Sequence, residues 1–288
     1  KEYQIELALN NMLKEWENIN LDIFPYRDTG TSVLKGVDEI VAVLDEHITM
    51  TQAMQFSAFK AAFEERIDEW DKCLFMVSEV LEEWMAVQRS WMYLQPIFES
   101  PDINKQLPLE GKRFAAVDKN WRQSLSNAKA HPKAVTFCNN EKLLDRFREG
   151  NKLLDQVQKG LNDYLETKRG VFARFYFLSN DDLLSILSES KDPLRVQPHL
   201  KKCFEAIDKV NFQEDLTITD MISPEAETVK FTDIVDPNGK SVEVWMLEVE
   251  EMMRRSVRDV MFQCIQDYAN DKGRCKWMQK WPGMCVLN

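Results

Sequence analysis

The chain has 288 residues, with 37 Lys and Arg against 48 Asp and Glu, a net charge of −11 and 44% hydrophobic content, enough apolar mass to bury roughly three quarters of its accessible surface without disulfides or metals. The acidic balance argues against general nucleic-acid or anionic-membrane binding, because both rest on clustered Lys and Arg, and no apolar run approaches the ~20 residues that span a bilayer. With only 9 Gly and 10 Pro, a many-turned all-β chain and a disordered one are both disfavoured, and a mainly helical protein is expected.

Ile5, Leu9, Met12, Leu13, Trp16 and Ile19 recur at helical spacing and predict an amphipathic helix over residues 1–20. Pro25 and the Asp28-Thr29-Gly30 turn then separate Leu21–Phe24 from Thr31–Leu34, which suggests a small hairpin or an extended loop. Val37, Ile40, Val41 and Leu44 resume the helical period. The clearest periodicity is Ile67, Trp70, Leu74, Val77, Leu81, Trp84, Gln88 and Trp91, a 3,4 alternation that extends back through Phe63, Lys60 and Phe56. Three Trp on one seam are too bulky for a two-stranded coiled coil, so the segment reads as one strut of a helical bundle.

Pro96, Pro101 and Pro108 break this pattern, and a new element begins near Gly111, with Phe114, Val117, Trp121 and Leu125 on one face. After His131-Pro132 a second long helix runs from about Asn140 to Leu165 and ends in the aromatic cluster Phe172–Leu178, which reads as core. Ser179 or Asn180 is placed to cap the next helix, with Asp181 and Asp182 in its first turn. Asp192-Pro193 punctuates before Val196, Leu200, Phe204 and Ile207. From Phe212 to Val244 β-branched stretches appear at 216–219, 229–232 and 242–244, and Asp236-Pro-Asn-Gly239 between the last two signals a tight hairpin turn. Helical spacing returns through Leu247, Met253, Val257, Met261, Cys264, Ile265 and Tyr268 before Trp277 and Trp281. The expected fold is thus an elongated, mainly α multi-helix rod with a small β-hairpin insertion near residues 212–246.

Motifs that carry chemistry are few. Gly239-Lys240-Ser241 ends like a phosphate-binding loop, but the Gly required five residues before Gly239 is replaced by Ile234, so a turn is the better reading. His47, His131 and His199 are scattered and none stands at metal-ligand spacing. Glu64-Glu65 and Glu82-Glu83 fit a solubilising outer helix face. The Cys at 73, 138, 203, 264, 275 and 285 form no CxxC pair and are expected to be buried free thiols of a reducing compartment. No catalytic, cofactor or metal constellation is expected within the chain. Charge is uneven, at −11 over residues 1–100, +4 over 101–150, −7 over 201–250 and +3 over 251–288, a pattern of solvated helix faces or of charged contact surfaces. The start at Lys1 and the end at Leu287-Asn288 read as those of a fragment.

Several separated motifs carry a family resemblance. The run Ala173-Arg-Phe-Tyr-Phe-Leu-Ser-Asn-Asp-Asp-Leu-Leu-Ser-Ile-Leu-Ser188 is followed by Lys191-Asp-Pro and by Gln197-Pro-His-Leu-Lys-Lys-Cys-Phe-Glu-Ala-Ile207. Leu107-Pro-Leu-Glu110, Met221-Ile-Ser-Pro-Glu225 and Val244-Trp-Met-Leu-Glu-Val-Glu-Glu-Met-Met253 agree in order. Together they resemble the linker of dynein heavy chains over nearly the whole chain, and Thr29–Glu39 with Lys191–Ile207 leans toward axonemal forms. The resemblance implies a mechanical lever and not a catalyst, lying across the ring of AAA ATPase modules of the same heavy chain and bending and straightening to give the ATP-driven power stroke along microtubules. ATP and Mg would then sit in the parent ring, a microtubule-motor ATPase. Dynein intermediate and light chains and the microtubule would be met by other parts of the parent chain, with no nucleic-acid or membrane partner, in the cytoplasm, the cytoskeleton and the axoneme of cilia and flagella. Residues 1–100, 101–211 and 212–288 would be its N-proximal, central and C-proximal parts, the last leading to the first ATPase module, with Trp277–Asn288 near that junction. Pro101, Pro108 and Gly111 are the candidate hinge, with an ordinary ordered loop as the alternative. Asn238, Gly239 and Lys240 are the candidate ring-contact hairpin. The reading from another class is a stand-alone helical scaffold that binds partners statically.

Overall fold

The computed structural model describes residues 2–189, 192–269 and 273–283. Lys191, Cys285 and the end of the expected junction, residues 284–288, lie outside the described residues. Residues 1–160 and 161–288 form two compact units, and the boundary falls within a helix. The fold is mainly α with small antiparallel β elements.

In the first unit, α1 (Glu2–Trp16) buries Ile5, Leu9, Met12 and Trp16, the 3,4 spacing that places one apolar stripe on a neighbour. The expected hairpin forms from β1 (Asp22–Pro25) and β2 (Ser32–Lys35), paired antiparallel from Asp22 opposite Lys35 to Pro25 opposite Ser32. Then α2 (Val37–Gln55) packs along α3 (Glu64–Glu99), and Trp16 Nε1 of α1 donates to buried His47 Nδ1 of α2 at 2.9 Å.

Helix α3 carries the predicted seam, and Ile67, Trp70, Leu74, Val77, Leu81, Trp84, Gln88 and Trp91 are all buried. The backward extension does not hold. Phe56, Lys60 and Phe63 lie in the turn between α2 and α3, held by short-range bonds such as Lys60 N to Ser57 O, and Phe56 is 89% exposed. Because α2 packs along α3, the chain must reverse there, and an apolar period cannot register a reversal that happens to keep its spacing. Nor does Pro96 end the helix, which continues to Glu99 at the loss of one backbone bond. Gln88, the polar member of the seam, donates from Nε2 to Leu34 O at 2.9 Å and accepts from Leu34 N at 2.8 Å, closing the outer edge of β2.

Short α4 (Pro101–Gln106) and long α5 (Pro108–Ala130) follow, so the new element expected near Gly111 starts three residues earlier, at Pro108. A five-residue helix, α6 (Ala134–Cys138), precedes α7 (Glu141–Val171). Aromatic pairs tie these helices to α3: Trp91 stacks on Trp121 at 5.5 Å, Phe98 on Phe114 at 5.3 Å, and Trp84 leans on Phe147 at 5.3 Å.

In the second unit the aromatic cluster after α7 becomes a 3₁₀ turn, Ala173–Phe177. It is only partly core: Phe172 and Phe175 are fully buried, whereas Tyr176 and Phe177 are 61% and 73% exposed, because a tight turn cannot aim consecutive side chains inward. Helix α8 (Asn180–Ser188) starts at the cap expected of Ser179, whose Oγ accepts from Asp182 N. Asp192 caps α9 (Pro193–Val196), and α10 (Leu200–Cys203) follows after a 3₁₀ turn. A three-stranded antiparallel sheet of order β3 (Lys209–Phe212), β4 (Ile218–Ile222), β5 (Thr228–Val235) comes next, then α11 (Val242–Tyr268) and α12 (Arg274–Lys280). Residues 242–244, read as β-branched strand, instead open α11, where Val242, Trp245, Met246 and Val249 are buried at helical spacing. The Asp236–Gly239 turn therefore leads from strand to helix and is not the tip of a hairpin.

Candidate functional site

The two segments singled out from sequence sit in different surroundings. Around Pro101, Pro108 and Gly111 the chain is broken at two single residues, Ser100 (ψ 121°) and Leu107 (φ −123°, ψ 62°), each preceding a Pro at the first position of a helix, as the ring of Pro requires of its predecessor. The segment between them is tied down. Asn104 Nδ2 donates to Phe98 O at 2.5 Å and Ser100 O at 3.0 Å, satisfying carbonyls at the end of α3, and Ile103 is 1% exposed. A Cβ at Gly111 would lie 2.5 Å from Asn104 Oδ1, so glycine allows α4 and α5 their close approach.

At the second segment, Gly239 takes φ +71°, the left-handed conformation that the Asn-Gly pair favours. Asn238 Nδ2 donates to Asp215 O at 2.9 Å and to Asp236 Oδ1 at 2.8 Å, linking the β3–β4 turn to the β5–α11 turn. Lys240 Nζ meets both oxygens of Glu248, on the α11 helix that follows it, at 2.7 Å. The Gly239-Lys240-Ser241 run is thus the entry to α11.

Three basic side chains that sequence reading passed over organise the second unit. Buried Arg169 donates to Phe175 O at 3.4 Å, Leu178 O at 3.3 Å, Asn180 Oδ1 at 2.8 Å and Glu166 Oε1 at 2.9 Å, so one guanidinium holds the 3₁₀ turn and the start of α8. Arg174 reaches Cys203 O at 3.2 Å and Glu250 at 3.3 Å, above the Phe204 ring. Lys168 Nζ pairs with Glu243 Oε1 at 2.5 Å, both side chains largely buried. Burial opposes ionisation of Glu243, but Lys168, a backbone amide and the Ser241 hydroxyl together bring its pKa below the ordinary carboxylate value. The only sequence signal for this cluster is Lys168-Arg169 in the last turn of a helix, an ordinary dipole complement.

Chemical groups are otherwise subdued. Burial pushes the Cys138 and Cys203 thiols up to about 12, which keeps them protonated near neutrality; Cys264 is also buried, Cys73 intermediate and Cys275 exposed. Among the described residues no group of three or more His, Cys, Asp and Glu is placed to hold a metal ion, and no helix is long and apolar enough to cross a membrane. Helix α11 also borders an open apolar groove with Ile207 and Met221.

Residues 1–264 match the family model described as dynein heavy chain, N-terminal region 2. The chain belongs to the dynein heavy-chain family. It is 50% identical over 287 residues to dynein axonemal heavy chain 1 of Rattus norvegicus, a match covering 100% of this chain and 6% of that protein. Against dynein axonemal heavy chain 12 of Homo sapiens it is 45% identical over 289 residues, covering 100% of this chain and 9% of the relative. Dynein axonemal heavy chain 3 of Homo sapiens is 44% identical over 289 residues, with 100% and 7% covered. This dynein region therefore spans less than a tenth of the length of these relatives, all of them axonemal heavy chains, in agreement with the resemblance carried by its motifs.

Proposed function

We propose that these residues form the mechanical linker of an axonemal dynein motor, a lever that bends and straightens over the AAA ring of its own heavy chain to give an ATP-driven stroke along microtubules. The observation that carries this reading is the continuous buried seam of α3 within a chain that matches dynein heavy-chain N-terminal region 2. A lever must resist bending. Helix α3 has 36 residues, about 54 Å at 1.5 Å per residue, and its stacked aromatic partners on α5 brace it sideways. Bending then concentrates where the helical backbone is interrupted, at Ser100 and Leu107 beside Pro101, Pro108 and Gly111.

On this reading residues 1–100, 101–211 and 212–288 are successive parts of the lever, and ATP with Mg is handled in the parent ring. Intermediate and light chains and the microtubule are engaged by other parts of the parent chain, in the axoneme of a cilium or flagellum. The turn at Asn238, Gly239 and Lys240 is a proposed ring contact, and a double-mutant cycle between it and the ring without coupling would remove it.

The lever is tested by locking the hinge. Asn104→Cys with Gly111→Cys places two thiols where a Cβ at 111 would lie 2.5 Å from the Asn104 side chain, and the parent motor is assayed for microtubule gliding under oxidising and reducing conditions. Oxidation is expected to shorten the stroke and slow gliding, with recovery on reduction; an unchanged stroke in the fully oxidised motor contradicts a hinge at Leu107, the break that the cross-link spans.

A further inference from the structure

Helix α1 is held to the first unit by one apolar stripe and by few polar ties. Among the described residues its side chains bond beyond the helix at Asn10, which accepts from Arg66 of α3 at 3.0 Å, and at Glu15 and Trp16, both of which meet His47 of α2. The imidazole is 4% exposed; its Nδ1 accepts from Trp16 Nε1 at 2.9 Å and its Nε2 stands 3.5 Å from Glu15 Oε2. An indole N–H only donates, so Nδ1 carries a lone pair and the ring is the neutral Nε2–H tautomer, with that hydrogen turned to the Glu15 carboxylate. The chain just after α1 is tied separately: Lys133 Nζ donates to Glu17 O, Ala134 N to Ile19 O at 3.1 Å and Leu21 N to Pro132 O at 2.7 Å. Movement of α1 therefore pivots at Trp16 and Glu17 and leaves the residues that follow in place.

We infer that His47 is a proton-sensitive latch whose protonation loosens α1 from α2. A second proton on the ring goes only to Nδ1, which then turns from acceptor to donor and points a hydrogen at the indole N–H. Both donors lose their partner in a buried site. Opposing this, the imidazolium gains attraction from Glu15. The Glu15 side chain is 55% exposed, and a pair so screened by solvent contributes little, whereas a charged donor left unpaired in a buried site is the larger cost. No other charge alters the balance: among the described residues Glu15 is the one charged group within ion-pair distance of the ring, Asp45 and Glu46 beside it on α2 are exposed, and α3, packed along α2, brings none to it. Release of α1 lets the ring be solvated and charged, so the loosened state binds the extra proton and acidification favours it. Histidine is the side chain that changes charge between about pH 5 and 8, so the latch is closed at the alkaline end of that span and weakened at the acid end. The apolar anchors Ile5, Leu9, Met12 and Trp16 keep most molecules closed, and the proton changes the fraction of time that α1 spends open.

The seating of α1 is independent of the lever reading, and its test needs no stroke. Hydrogen exchange of the full-length heavy chain is followed by mass spectrometry on peptides covering residues 5–16 at about pH 7.5 and about pH 5.5, each rate being divided by the intrinsic rate at that pH. Protection of α1 is expected to fall about tenfold at the lower pH, the effect of one pH unit of linkage to a single proton, while peptides of the α3 seam keep theirs. His47→Gln leaves Trp16 Nε1 an acceptor that does not titrate, and should hold α1 equally well at both pH values. Trp16→Phe removes the opposing donor, so acid should no longer loosen α1, however firmly the helix is seated in that variant. A His47 that only fills space would leave the native chain without the pH dependence. Native protection that is unchanged or higher at the lower pH overturns the inference, as does an equal fall in the His47→Gln or the Trp16→Phe chain.

Discussion

Helices α3 and α11 both carry long apolar series at helical spacing, and they meet opposite fates. The seam of α3 is covered along its length, with Trp70 the most accessible of its three Trp at 7% and Trp84 and Trp91 at 0%. On α11 cover ends part-way. Strand β5 follows the helix as far as Ser256, which accepts from Thr232 N at 2.8 Å, and Asp259, which meets Thr232 Oγ1 at 3.2 Å. Beyond that, α12 attends to the Cys264 side, where Trp277 Nε1 donates to Cys264 O at 2.9 Å, and the Met261 and Ile265 side stays open. The periodicity of a helix marks which face is apolar; only the neighbours decide whether that face is core or contact surface.

Four substitutions sharpen this contrast. Trp84→Ala, in the fully buried seam, should cost about 3–5 kcal/mol through lost transfer energy and the cavity left behind; urea unfolding that shifts by less than about 1 kcal/mol would mean the seam is not packed. Lys168→Met leaves the Glu243 carboxylate buried without its partner and should cost about 2–3 kcal/mol, with much of the loss restored by adding Glu243→Gln. The pair also sets an acid dependence. Because the folded pKa of Glu243 is lowered, its stabilisation is complete above the unfolded carboxylate pKa of about 4.3 and is lost as pH falls through the folded value. Acid titration should therefore destabilise the native chain more than the Glu243→Gln variant, and equal slopes would contradict the pair. Gln88→Leu strips both bonds from Leu34 and should cost about 1–2 kcal/mol, with loss of amide-exchange protection confined to β1 and β2. Phe262→Ser, on the open half of α11, should change stability by no more than about 0.5 kcal/mol, and a loss comparable to that of Trp84→Ala would show the groove to be core.

Much of this architecture is legible in the residues. Local signals act locally, so the α1 stripe, the α3 seam, the hairpin across Asp28-Thr29-Gly30 and the Ser179 cap are all readable. Long-range events are not. The reversal at residues 56–63 keeps the spacing of Phe56 and Phe63, and Val242–Val244 satisfies a strand's composition while occupying the first turn of a helix whose buried face continues at Trp245 and Val249. Strand β3, from Lys209, was hidden because only Val210 of its four residues is buried. Of the candidate sites, the Pro101 and Pro108 breaks are visible because Pro constrains its own backbone and its predecessor's. Apart from Glu166, three residues from Arg169, the partners of Lys168, Arg169 and Arg174 stand 6 to 76 residues away, which no local pattern encodes. The α11 groove was hidden for the reverse reason: its residues look like core, and only the structure reveals that nothing among the described residues covers them.

The most direct test of the lever is the swing itself. A donor dye at position 56, where the Phe side chain is 89% exposed, and an acceptor on the AAA ring of the parent heavy chain would report their separation by single-molecule energy transfer across nucleotide states. Two discrete separations are expected, exchanging as nucleotide is bound and released and merging toward one when residues 104 and 111 are cross-linked. A single separation in every nucleotide state of an active motor would contradict the lever and make this region a static part of the heavy chain.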